Sequence, residues 1–474
     1  MSDVIDCLLI GYAWESEISP FLMESGHQVS GFNFDFNFNK EFNAAIAYLG
    51  TYLHRRGFTF DYINSAADEQ ELLIRKLTSH NILSVGISTT FCLDINQVIK
   101  TIKLIRKYNS SVKIIVGGAF IVLYTRELAE SGEKMLQFIL GKVRADFIID
   151  SFQGEDALVG ILNTLKVSGY LPDEVPNIYY KSGNDYFYTW NSTENIRLGE
   201  NMVDWTLFKD RAEKIVPVRT SVSCPFSCSF CTYPLNNGKY RYVDAEAVER
   251  ELDSIQRIGK VEYVHFVDDA LNIPKERFVD ILKMMIKNKY TFKWYSYIRC
   301  QHLDRETAGL IKMSNCEGVL LGIESANNHM LRRMNKQIDV DIYRKTIAIL
   351  HEHKIPSYAL FFFGFPGETA DSINDTINFI EEVKPTFYFI GVWHNDPRTP
   401  INNEAEEYHI EGTNRSWSHK TMDYATAEKF RNEALLKIKN SIPLSFYYSD
   451  IFQMLRAGYS YEKINDICRA RIWL

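Results

Sequence analysis

Residues 221–233 read Ser-Val-Ser-Cys-Pro-Phe-Ser-Cys-Ser-Phe-Cys-Thr-Tyr and set Cys224, Cys228 and Cys231 in a C-x₃-C-x₂-C spacing. An electron-carrying [4Fe–4S] site takes four cysteines, and a structural zinc site is filled by four Cys or His side chains. Three thiolates on a cubane cluster leave one iron without a protein ligand, and an open iron is a place for chemistry. No nearby Cys or His supplies a fourth ligand in the usual spacing. A zinc site completed from elsewhere, or buried cysteines with no ligand role, are the other readings that the spacing alone leaves open.

The cysteine loop follows an apolar run, Val216–Val222, and opens a strand–loop–helix pattern. Further strands are expected at Tyr263–Val267, Lys293–Ile298, Gly318–Gly322, Ser357–Phe363 and Thr386–Val392. Six strands predict a partial (β/α)6 barrel, whose chemistry sits at the carboxyl ends of its strands. Those ends are polar. Asp268 and Asp269 close the second strand, Arg299 the third and Glu324-Ser325 the fourth, within Gly-Ile-Glu-Ser; Gly364-Phe365-Pro366-Gly367-Glu368-Thr369 follows the fifth. Any one of these reads as a helix cap or a turn; four in succession point to a site. The basic run Leu331–Lys336 reads as the start of a helix with a solvated face.

Upstream, apolar runs at Val4–Tyr12, Phe58–Ile63, Ile82–Ser88, Val112–Val116 and Phe147–Ser151 alternate with helical patterns at Phe42–Arg56, Glu69–Leu77 and Asn96–Lys107. This order predicts a doubly wound parallel sheet that binds ligands beyond its strands' carboxyl ends. The informative ends are Ser88-Thr89-Thr90, Gly117-Gly118 and Gln153-Gly154-Glu155, where small residues let a bulky ligand approach the backbone. The Phe/Asn-rich stretch 31–39 reads as irregular. The predicted organisation is an α/β chain: a Rossmann-like domain over 1–165, a linker with a small hairpin over 166–212, the barrel over 213–400, and a mainly helical extension over 401–474. In the extension and just before it, Trp393, His394, Trp417 and His419 are candidate substrate contacts.

With 474 residues, two or three domains are expected. Hydrophobic residues at 46% and charged residues at 24% are the balance of a folded protein. The net charge of −7, from 53 basic and 60 acidic residues without a long run of one sign, argues against nucleic acid as a partner. Eight cysteines, three of them clustered, read as a metal site in a reducing compartment and not as a disulfide framework. The start has no basic leader with an apolar core, and no apolar run approaches the roughly 20 residues that span a bilayer. A cytoplasmic enzyme without a membrane contact is therefore expected.

The C-x₃-C-x₂-C spacing, with Phe230 before its last cysteine, resembles the radical S-adenosylmethionine enzymes, as do the Gly-Ile-Glu-Ser and Phe-Pro-Gly-Glu-Thr segments across roughly residues 216–392. The resemblance implies that Cys224, Cys228 and Cys231 ligate a [4Fe–4S] cluster whose open iron binds S-adenosylmethionine. Phe230 would then pack beside the adenine, while Arg299, Asp268, Glu324 and Ser325 would meet the carboxylate, ammonium and ribose. An α/β domain ahead of the cysteine loop resembles the cobalamin-binding branch, and Trp417–Met422 is similar to the branch containing phosphinate P-methyltransferases. Ser88, Thr89, Thr90, Gly117, Gly118, Gln153, Gly154 and Glu155 would line the cobalamin tail.

The Asp-x-His-x-x-Gly motif of many cobalamin domains is missing, and the N-terminal histidines, His27, His54 and His80, do not fall in that pattern. Either the cobalt lacks a histidine ligand, as in the methyltransferase members, or the domain holds no cobalamin. The resemblance implies methyl transfer to an unactivated carbon or phosphinate of a small-molecule or peptide substrate, with an electron donor such as flavodoxin or ferredoxin. Rearrangement, cyclisation or epimerisation without methyl transfer is the second reading, and an iron–sulfur redox sensor the third.

Overall fold

The computed structural model describes residues 4–12, 41–92, 94–166, 172–194, 196–446 and 448–472. The stretch 31–39 and His27 lie outside them. The chain divides into two compact units, the first ending at Val216 and the second running from Pro217 to the end of the chain.

In the first unit, β1 (Ile5–Tyr12), β2 (Phe60–Ser65), β3 (Ile82–Ser88), β4 (Lys113–Gly117) and β5 (Phe147–Ile149) form a parallel sheet in the order 2-1-3-4-5. Strands such as Leu8–Ile10 and Ile114–Val116 are apolar without alternation because helices cover both faces. The helix Ala44–Arg55 is capped by Asn43, and Ile95–Tyr108 by an Asp94–Gln97 capping box.

The hairpin expected within a linker, β6 (Ile178–Ser182) and β7 (Asp185–Tyr188), instead continues this sheet, with β6 antiparallel to β5. Tyr179 and Tyr186 fasten it to the same hydrophobic core, and the Tyr186 hydroxyl donates to Ala145 O at 2.7 Å. Its Gly/Asn/Asp punctuation reads as a connector because a two-strand edge needs only one buried aromatic face.

The second unit holds all six expected strands in an open array. β8 (Ile215–Val218) precedes a small antiparallel pair, β9 (Ser221–Val222) with β10 (Arg241–Tyr242); β11 (Tyr263–Phe266), β12 (Lys293–Tyr297), β13 (Cys316–Glu324), β14 (Ser357–Phe363) and β15 (Phe387–Val392) follow. The expected strand 216–222 is thus broken at Arg219, and the cysteine loop is the connection between β9 and β10. The tail adds β16 (Glu411–Thr413), β17 (Ser416–His419) and β18 (Met422–Asp423) as a separate antiparallel sheet, and β19 (Ile442–Pro443) as a seventh barrel strand beside β15. The extension is therefore less purely helical than its sequence suggests. β8 and β19 stand at the two ends of the order, so the barrel is partial.

The β16–β18 sheet is pinned to the turn after β14. Trp417 Nε1 donates to Trp393 O at 2.8 Å, and His419 Nε2 lies 3.0 Å from Gly364 O. Burial keeps His419 neutral, and with Nε2 donating, its Nδ1 accepts from Thr421. Trp393, His419 and Trp417, considered as substrate contacts, are thus packing elements. Gly364 must be glycine: its φ is +95°, and a Cβ there would lie 2.6 Å from the Trp417 ring.

Inside the same turn Glu368 is fully buried, accepts from Gly364 N at 2.6 Å, and has its carboxyl pushed up to about 8 by desolvation. The folded chain therefore holds this proton from its ordinary value of 4.5 up to about 8, where the unfolded chain has lost it. Stability should fall as pH rises through that window, by up to about 1.4 kcal/mol per pH unit from this group. Glu368→Gln, which keeps the acceptor, should flatten the dependence in urea unfolding across the window; an unchanged slope would count against a protonated Glu368.

Candidate radical and cobalamin sites

In the second unit the cysteine loop has little regular structure and is held from outside. Ser229 N donates to Met334 O at 3.0 Å, Ser229 Oγ to Arg333 O at 2.7 Å, and Asn335 Nδ2 to Ser227 O at 2.8 Å. All three partners lie on the turn that follows the helix Asn328–Arg333. The cysteines are free, Cys228 is buried, and Cys224 and Cys231 are half-buried. Burial pushes the Cys231 thiol up to about 11, with smaller contributions from Cys228, Asp269 and Cys224, so the three sulfurs share one locality. Among the described residues no three His, Cys, Asp or Glu side chains converge as a single-ion site requires. A cubane would take each thiolate on a different iron, and Cys224, Cys228 and Cys231 are the donors this loop offers for it.

Lys336 is buried, not on a solvated face. Its Nζ donates to Gly322 O at 2.9 Å and to Glu324 Oε1 at 3.1 Å, and sits 5.8 Å from the Phe230 ring centre. Glu324 adopts φ +67° at a bulge in β13, which turns its carboxylate toward that ammonium. Arg299 lies over Phe226 at 3.9 Å, donates from Nη2 to Lys336 O at 2.9 Å, and keeps its backbone fixed by Asn272 on both sides. Its buried Nε has no partner among the described residues, an orphan donor suited to a carboxylate. Phe230 is half-buried with Phe362 edge-on at 5.2 Å.

Two expected residues are placed elsewhere. Asp268 is buried and consumed by protein donors: Thr220 N at 3.1 Å, Thr220 Oγ1 at 3.1 Å and Ser221 Oγ, with Arg277 tied to Thr220 O at 3.1 Å. It turns the chain from β8 into β9 and, at 2% exposure, is enclosed by these partners. Ser325 is fully enclosed, and its hydroxyl accepts from Asn327 N at 3.3 Å. Asp269, the neighbour, is solvent-exposed beside the loop, with desolvation by the surrounding protein and the Asp268 charge raising its pKa to about 6. Lys336, Asn272, Phe226 and Asp269 were not legible as site residues; only the doubled Asp268-Asp269 carried a signal.

In the first unit, the strand order places its switch point between β1 and β3, at Tyr12 and Ser88. Tyr12 and the exposed Phe91 meet there with ring centres 5.3 Å apart, neither picked out from sequence. Thr89 Oγ1 donates to Gly117 O at 2.9 Å and accepts from Ile121 N at 3.1 Å, so Thr89 braces the loop while Ser88 and Thr90 remain beside it. Gly118, at φ +107°, makes room for the chain itself: a Cβ would lie 2.8 Å from Thr89 N. Gly117 packs toward Ile149.

At the end of β5, Gly154 N donates to Glu194 Oε2 at 2.8 Å, and Glu155 accepts from Asn201 Nδ2 at 3.0 Å. Gly154 N and Glu155 Oε1 are thereby engaged by protein. The Gln153 Oε1 is buried without a partner among the described residues, which fits a ligand rich in amide N–H groups. His54 and His80 follow helices that lead back to the amino ends of β2 and β3, opposite the ligand end.

The B12 binding domain family matches residues 39–140, and the Radical SAM superfamily matches residues 218–380. The chain thus carries a B12 binding domain followed by a radical SAM domain. It is 31% identical over 199 residues to the bacteriochlorophyllide d C-12(1)-methyltransferase of Chlorobaculum tepidum, a match spanning 41% of this chain and 43% of that relative. An uncharacterized methyltransferase of Pyrococcus horikoshii is 23% identical over 351 residues, 73% and 74% of the two chains. The fold is shared with the radical S-adenosylmethionine methyltransferase TsrM from Kitasatospora setae, whose structure holds cobalamin and a [4Fe-4S] cluster: TM-score 0.64, 15% identity, covering 86% of this chain and 75% of that one. A radical SAM domain and a B12 binding domain imply a [4Fe–4S] cluster, S-adenosylmethionine and cobalamin as cofactors. Among the described residues no helix is long and apolar enough to cross a membrane.

Single changes of Cys224, Cys228 or Cys231 to Ala should abolish reconstituted iron and cleavage of S-adenosylmethionine, whereas Ala at Cys7, Cys92, Cys300, Cys316 or Cys468 should leave about four irons per chain. Cleavage retained by any of the first three variants would refute the ligand set. Asp268 and Arg299 should separate cleanly. Asp268→Ala leaves Arg277 buried without its counter-charge and should cost about 3–5 kcal/mol in urea unfolding. Arg299→Ala should weaken S-adenosylmethionine binding about 10- to 100-fold by calorimetry with the cluster spectrum intact; equal affinity in wild type and variant would remove it from the cosubstrate.

Proposed function

We propose that the chain is a cobalamin-dependent radical methyltransferase acting on an unactivated carbon or phosphinate centre of a small-molecule or peptide substrate. What carries the reading is the order of parts: a B12-binding sheet ahead of a three-cysteine loop at the mouth of a partial barrel. When bound, the cluster, S-adenosylmethionine and cobalamin supply the electron, the 5′-deoxyadenosyl radical and the methyl group. The chain's own task is to hold and orient. Three thiolates fix the cluster and leave one iron for the cosubstrate. Arg299 receives the cosubstrate's carboxylate, Glu324 accepts from its ammonium with Lys336 setting the carboxylate's direction, and Phe230 offers an aromatic wall to the adenine.

In the first unit, Ser88, Thr90 and Gln153 stand at the strand ends where the cobalamin tail would lie, with Tyr12 and Phe91 at the switch point. A protein such as flavodoxin or ferredoxin would deliver the electron, and the chain would work in the cytoplasm.

His54 and His80, the two described histidines of the first unit, lie toward the amino ends of its strands, so neither would meet a cobalamin held at the carboxyl ends. Electron paramagnetic resonance of bound cob(II)alamin should show no nitrogen superhyperfine splitting, and deuterated methyl from S-adenosylmethionine should appear in the product. Nitrogen splitting would refute the histidine-free face. A purified chain that cleaves S-adenosylmethionine yet never retains corrin would move the assignment to rearrangement, cyclisation or epimerisation.

A further inference from the structure

The barrel's two faces differ in kind. On the outer face Trp294 packs between Phe266 and Phe278, and Phe361 packs on Phe379 of the helix Ala370–Val383. Residues paired across neighbouring strands share a face, so Tyr297 with Leu320, Gly322 with Leu360, Leu360 with Phe389, and Phe362 with Gly391 line the inner one. Its lower part is sealed from the tail. Phe452, on the helix Tyr448–Arg456, meets Tyr263, Tyr295 and Tyr358 with ring centres 5.4, 4.6 and 5.8 Å away. These three tyrosines and Phe387 are all buried.

Above that floor the inner face is open. Leu360, Phe362 and Phe230 are half-buried and Phe389 is 45% exposed, although its neighbours Tyr388 and Ile390 are buried. Gly322 and Gly391 add no side chain to the wall. The polar group at floor level is a hydroxyl pair: Tyr448, edge-on to Tyr358 at 5.7 Å, hydrogen-bonds Tyr297. One hydroxyl donates to the other, and the second proton is left for an acceptor. Glu324 bears on both tyrosines, so its charge disfavours an anionic acceptor there.

We propose that this pocket receives a flat, π-rich, uncharged part of the substrate, walled by Phe230, Leu360, Phe362 and Phe389, with the Tyr297–Tyr448 pair meeting its polar edge. Aromatic walls reward a planar guest beyond its buried area, and Gly322 and Gly391 add no side chain beside Leu360 and Phe362. Phe230 precedes the cluster ligand Cys231, so a group seated here lies beside the radical source. The proposal rests on the reading of the cysteine loop as that source. It makes Tyr448, in a tail that the sequence pattern leaves unmarked, a specificity-determining residue.

Equilibrium dialysis of three neutral probes against the full chain with its cluster reconstituted tests this: 2-naphthol, its saturated counterpart decahydro-2-naphthol, and naphthalene. The expected result is about tenfold tighter retention of 2-naphthol than of the saturated alcohol, and about tenfold loss in Phe389→Ala. Tyr448→Phe should erase the advantage of 2-naphthol over naphthalene while naphthalene is still retained. Cluster absorbance confirms that each variant is folded. Equal retention of flat and saturated alcohols, or an undiminished 2-naphthol advantage in Tyr448→Phe, would overturn the proposal. If the chain fails to cleave S-adenosylmethionine but keeps the preference, the functional reading fails and the pocket stands; cleavage without the preference does the reverse.

Discussion

A buried ammonium holds the radical site together. Lys336 is 3% exposed, and an ammonium so placed is stable only with a counter-charge and full hydrogen bonding. Glu324 and Gly322 O supply both, and Glu324 accepts a left-handed backbone at the β13 bulge to do so. Lys336 also anchors Arg299 through its carbonyl. Its neighbours Arg333, Met334 and Asn335 hold Ser227 and Ser229 of the cysteine loop. A loop that makes few bonds of its own thereby takes its shape from a strand end, and its three cysteines, Arg299 and Glu324 are all tied to the segment that carries one ion pair.

Much of this was legible, for identifiable reasons. The cysteine spacing is local, and strands buried on both faces announce themselves as apolar runs, so the six barrel strands and five parallel strands of the first unit appear where expected. Roles that depend on non-local partners were not legible. Asp268 and Asp269 are adjacent and chemically identical, yet Thr220, Ser221 and Arg277 surround one and the cysteines lie near the other. Only the path of the chain from β8 into β9 decides which is which. Lys336 sits in a basic run whose pattern suits a solvated helix; its burial follows from the turn after the helix Asn328–Arg333, where the helical period no longer applies.

The first unit shows the same limit in its glycines. A glycine at a strand end is read as room for a ligand, but the space beside Gly118 is filled by the amides of Thr89 and Thr90. Its contribution is to let two loops touch, which fixes Ser88 and Thr90 relative to β4. The position of Tyr12 at the ligand end is topological: it follows from β1 lying between β2 and β3, an order no local pattern encodes.

The tail bears on strand β14 at both ends by different means. Beyond its carboxyl end, Trp417 and His419 clamp the Gly364 turn, where an ionised Glu368 would set a negative charge against desolvated backbone and is instead held as the acid. At its amino end, Phe452 and Tyr448 close on Tyr358. β14 therefore cannot shift along its axis without breaking one of the two contacts, and the wall formed by Leu360 and Phe362 between them keeps its height above the floor. Of that floor, Phe452 and Tyr448 lie beyond residues 218–380, the span matched by the radical SAM family, while Tyr263, Tyr295, Tyr297 and Tyr358 lie within it. The depth and polarity of the proposed space are therefore set jointly by strand residues of that span and by Phe452 and Tyr448 of the tail.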